Sequence, residues 1–74
     1  MRNHDVVRMA NRIAGYFQSY PRDEAVAATA AHLRSFWDPR LRRALFDHAA
    51  TAEGELHEIV VGAVRRLQAT AAER

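Results

Sequence analysis

The stretch Ser35 to Arg43, SFWDPRLRR, lies at the centre of the chain, and its reading decides how the helices divide. A residue ahead of an Asp-Pro pair is poorly placed to continue a helix, so Trp37 is expected to end one. Asp38 can start the next, its carboxylate accepting from the free N–H groups of a first turn. Pro39 suits the first helical position, where its missing N–H costs nothing. Asp38 and Pro39 therefore define a structural corner, with Trp37 turned inward on one side of it and a burst of arginines on the other.

Outward from this corner, apolar spacing marks the helices. Val6, Ala10, Ile13, Phe17 and Tyr20 step by four, three, four and three, and fall within an arc of about 80° on a helical wheel. Val26, Ala30, Leu33 and Trp37 repeat the pattern, as do Leu56, Val60, Ala63 and Leu67, while Leu41, Leu45 and His48 give a shorter version with Ala44 beside them. The strict alternation of a half-buried strand is absent. The expectation is an all-α chain, a compact bundle of four short amphipathic helices over roughly 4–19, 22–37, 39–50 and 55–70, in a single domain spanning 1–74. Asn3 is a cap candidate for the first helix, and Asp23 and Glu24 suit the positive dipole end of the second, just after Pro21.

At 74 residues such a bundle has a thin core, and small domains commonly add a staple in the form of a disulfide, a metal or a partner chain. Cysteine is absent, which removes disulfides and thiolate metal sites and leaves a partner protein as the favoured staple. The opening residues are interrupted by Arg8, Asn11 and Arg12, so no export signal or membrane span is expected and the cytoplasm is the expected location.

Reactive chemistry finds little support. His4, His32, His48 and His57 include no pair at the i, i+4 spacing of helical zinc sites, and His48 lies on an apolar stripe, as a packed core histidine does. The hydroxyls of Ser19, Ser35, Thr29, Thr51 and Thr70 lie in no activating motif, and the three glycines are too scattered to cradle a phosphate. No catalytic, cofactor-binding or metal-ligating residue is assigned, and no small-molecule substrate is expected.

All 11 basic residues are arginines, yet the formal charge is only +2. Arg34, Arg40, Arg42 and Arg43 cluster near the corner, where a helix-turn-helix is conceivable. They point in different directions, however, and a nucleic-acid binder presents a broader basic face. A solvated basic face is the commoner use of such a cluster, and an arginine-rich rim at a protein interface fits the enrichment of arginine there. Phe36 cannot share the direction of its neighbour Trp37, and Phe46 and Val61 stand off their helices' stripes. These residues either anchor a partner or are buried on a second face of the bundle. Phe36, Trp37, Arg40, Arg43 and Phe46 are the expected contact residues.

Three blocks then resemble a known family. RMANRIAGYFQSYP, AAHLRSFWDPRLRRAL and ELHEIVVGAVRRL together are similar to the delta subunit of cytoplasmic NAD-dependent formate dehydrogenases. Met9-Ala10-Asn11, His32, Phe36-Trp37 and Pro39-Arg40 carry the resemblance, which covers roughly Val6 to Leu67. Leu41 stands where the family has methionine, and Tyr16 where it has phenylalanine. The volumes are close enough to keep the packing.

The resemblance implies a non-catalytic accessory subunit that docks on the large catalytic (alpha) subunit and supports assembly or stability of the holoenzyme. It implies that formate is oxidised in the large subunit at a bis-molybdopterin guanine dinucleotide centre holding molybdenum or tungsten. Iron–sulfur clusters and FMN in other subunits would pass the electrons to NAD, and this chain would bind none of these groups. A transient assembly or cofactor-insertion chaperone is the alternative, and a small arginine-rich nucleic-acid-binding module a more distant one.

Overall fold

The computed structural model describes residues 3–51 and 53–72, with side chains over 5–51 and 54–70. Four α-helices follow one another: α1 (Asn3–Phe17), α2 (Arg22–Phe36), α3 (Pro39–Thr51) and α4 (Glu58–Ala72), with a 3-10 turn at Glu53–Glu55 before the last. No strand occurs among the described residues. The all-α bundle expected from periodicity is the architecture of the chain. The side chain of Asn3, expected to cap α1, lies outside the described residues.

α1 stops at Phe17 rather than 19, and the N–H of Tyr20 closes the turn by donating to the Phe17 carbonyl at 3.0 Å. Pro21 keeps Tyr20 out of helical dihedrals, so the chain leaves α1 through this turn. Tyr20 is consequently 53% exposed instead of continuing the buried stripe, and rests edge-on against Phe17 with ring centroids 5.7 Å apart. The buried face of α1 is Val6, Val7, Ala10, Ile13 and Ala14.

α2 departs more from expectation. Its buried residues are Ala25, Thr29, Ala30 and Leu33, whereas Val26, placed on the stripe by spacing, is only half-buried. Alanines surround this helix, so spacing alone does not orient it, and its most extensive neighbour, α4, does. A Cβ added at Gly62 of α4 would stand 3.0 Å from Cγ2 of Val26. That glycine lets the two helices approach so closely that Val26 lies over α4 rather than pointing into the centre. Thr29 is fully buried, and its hydroxyl has no hydrogen-bond partner.

Leu33, Leu45, Val6 and Val60 are the largest apolar side chains buried completely, one from each helix. Around them close Ile59, Ala63, Val64 and Leu56, with Phe46 and Val61 packed partly against the same core. Phe46 and Val61 meet at a crevice between α3 and α4 that Ala49 and Val64 also line. For these two off-stripe residues, a second buried face is therefore the better account.

α4 begins at Glu58 instead of 55. The intervening residues make the 3-10 turn, and His57 becomes the N-cap, its Nδ1 accepting from the N–H of Ile59 at 3.1 Å. Leu56 is buried within this loop.

Candidate docking surface

The corner between α2 and α3 is built by residues that lie close together in the chain. Trp37 leaves the helix with φ −95° and ψ 136°, its N–H still donating to the Leu33 carbonyl. Oδ1 of Asp38 accepts from the N–H of Leu41 at 2.8 Å, the expected N-cap of α3, and Pro39 occupies the first helical position. From the first turn of α3, Arg42 reaches back to the end of α2. Its Nη1 donates to the carbonyls of Leu33 (3.3 Å), Arg34 (3.2 Å) and Trp37. The Leu33 carbonyl already accepts from the Trp37 N–H, and Arg42 adds a cation at this helix C-terminus, where the dipole favours one. Asp38 thus caps α3, and Arg42 of α3 caps the end of α2, across the Asp-Pro step.

This geometry sorts the expected contact residues. Trp37 is only 6% exposed; its indole belongs to the core and offers almost nothing to a partner. Arg40 and Arg43 are exposed, and with Pro39, Arg42 and Phe46 they line one shallow depression at the start of α3. Phe46 presents only part of its ring there, since the rest packs against the core. Phe36, by contrast, is 76% exposed, and its ring leans on His32 with centroids 4.8 Å apart and planes inclined by 36°. The surface offered by the corner is therefore Phe36 backed by His32, together with Arg40 and Arg43. Arg42, one of the four clustered arginines, is spent on the fold.

Polar side chains hold the other helix junction. The Asn11 side-chain amide donates to the Glu55 carbonyl at 3.1 Å, and its oxygen accepts from the His57 N–H at 2.8 Å. Nε2 of His48, whose side chain is largely buried, meets Oε1 of Glu55 at 2.8 Å. Arg22 pairs with Glu58 at 2.9 Å, linking the first turns of α2 and α4. Sequence reasoning missed the roles of Asn11, Arg42 and His57. For Arg42 a local signal existed, a cation one turn into a helix that begins where another has just ended. Asn11 offered none, because its partners lie 44 and 46 residues away.

The histidines His32, His48 and His57 are thereby stacked on Phe36, bonded to Glu55 and capping α4. Among the described residues no group of three or more His, Cys, Asp or Glu side chains is placed to hold a metal ion. No helix among them is long and apolar enough to cross a membrane. Such an arrangement defines a class, a small all-α chain whose polar side chains mainly fasten its own helices while an aromatic and several arginines stay open to solvent.

The family model for the NADH-dependent formate dehydrogenase delta subunit, FdsD, matches residues 5–64. The chain belongs to that family, and it accordingly has partner subunits in a formate dehydrogenase complex. No curated protein and no solved structure matches it.

Proposed function

We propose that the chain is a non-catalytic subunit that docks on the large catalytic subunit of the formate dehydrogenase complex through the α2–α3 corner, and that it supports assembly or stability of the holoenzyme. Family membership over residues 5–64 carries this reading. The corner supports it physically. An aromatic ring left 76% exposed on so small a domain is an apolar cost that a partner's pocket would remove, and the exposed Arg40 and Arg43 at the start of α3 suit carboxylates on that partner. In this reading molybdenum or tungsten on bis-molybdopterin guanine dinucleotide, the iron–sulfur clusters, FMN and NAD are held by the other subunits, and this chain acts in the cytoplasm by shape and adhesion.

Co-expression of the complex with Arg40→Glu and Arg43→Glu combined, and separately with Phe36→Ala, tests the surface. The expected result is a loss of this chain from the purified complex, with its own thermal stability unchanged. Full retention of both variants would reject the corner as the docking surface. Association restricted to large subunit lacking its cofactor would show a transient assembly factor rather than a resident subunit.

A further inference from the structure

The outer face of α1 carries a second set of features that the corner does not explain. Arg8, Arg12 and Gly15 step by four and three and fall within an arc of about 60°. That arc lies opposite the buried face of Val6, Ala10, Ile13 and Ala14. Met9 and Tyr16 flank it on one side, 39% and 73% exposed. Neither Arg8 nor Arg12 has an ion-pair partner among the described residues. Asp5, half-buried on the same side, leaves the face with a net positive charge.

Gly15 is the informative residue. It sits inside a helix, where glycine is the poorest former after proline, and its φ is negative, so no left-handed geometry requires it. A Cβ added there would meet nothing within 4 Å. The chain itself therefore gives no reason for glycine at this position, in contrast to Gly62, where Val26 supplies one. Close approach of another backbone is the remaining use of a missing side chain.

We infer that the outer face of α1 is a second docking surface, which takes a carboxylate-bearing segment of a neighbouring subunit whose backbone crosses α1 at Gly15. Arg8 and Arg12 pair with its carboxylates, and Met9 and Tyr16 cover its apolar side chains. A second copy of this chain is disfavoured as occupant, since self-pairing would oppose the same arginines. The inference goes beyond docking through the corner: with both surfaces in use, the subunit is gripped on two sides.

The test separates folding from association. Gly15→Ala and Gly15→Gln in the purified chain should raise the melting temperature, by about 4 °C or more for alanine. In the co-expressed complex Gly15→Gln should lower recovery of the chain several-fold, as should Arg8→Glu with Arg12→Glu. A variant that is more stable alone yet worse assembled is the expected signature. Unchanged recovery for both would overturn the inference, and so would a fall in melting temperature for Gly15→Ala, which would mean that α1 itself needs the glycine. A dimer of the isolated chain that Gly15→Gln dissolves would also overturn it, by making a second copy the occupant. These outcomes are independent of the corner variants: recovery can fail at Gly15 and survive at Arg40 and Arg43, or the reverse.

Discussion

The chain turns between helices at two places that are held in opposite ways. At the α2–α3 corner, Asp38, Pro39 and Arg42 do the holding, and every polar partner lies within nine residues. At the junction leading into α4, Asn11 binds backbone 44 and 46 residues away and Arg22 reaches Glu58 across 36 residues, while the His48–Glu55 contact beside them spans seven. The first turn forms from its own neighbourhood once helices start on either side. The second exists only when α1, α2 and α3 are already in place to receive it. The local turn leaves Phe36, Arg40 and Arg43 free, whereas the remote one draws its polar groups into the fold.

The largest effect should come from the one residue of the corner that is buried in the core. Trp37→Ala removes a buried indole and should cost about 3–5 kcal/mol, enough to unfold much of a domain of this size, as read by urea denaturation. A loss under about 1 kcal/mol would mean that the corner stands without its core anchor.

Asn11→Ala comes next, at about 2 kcal/mol, because one truncation leaves both the Glu55 carbonyl and the His57 N–H without their partner. Hydrogen exchange at His57 should accelerate far more than exchange at Leu41. Equal acceleration at both would erase the distinction between a remote and a local junction.

Asp38→Ala should cost about 1 kcal/mol through loss of the α3 cap, and Arg42→Gln a similar amount through the freed carbonyls of α2. Because the two act on one step of the chain, the double variant should depart from the sum of the singles. Strict additivity would show two independent caps rather than one interlocked corner.

The smallest effect should be at Arg22–Glu58, whose side chains are 59% and 70% exposed. Arg22→Gln should cost less than about 1 kcal/mol, and less still at high salt. A larger loss would make this pair, rather than Asn11, the main fastening of α4.

The site was legible only in part. Phe36, Arg40 and Arg43 stand out in the sequence as contact candidates, because a large aromatic and cations beside a helix break have few uses inside a small core, and the structure leaves all three exposed. Trp37 is expected both in the core and at the contact surface, and at 6% exposure its indole sits in the core. Phe46 and Val61 looked displaced on single-helix wheels, which cannot show that α3 and α4 close on each other around them.

By itself the sequence determined the helices, the corner and the absence of disulfides, since these follow from apolar period, from Asp-Pro chemistry and from composition. Which face of the alanine-rich α2 turns inward, where α4 begins and what Asn11 holds were decided only by the tertiary structure. A glycine that lets two helices meet and an amide that spans half the chain act between residues no local pattern connects.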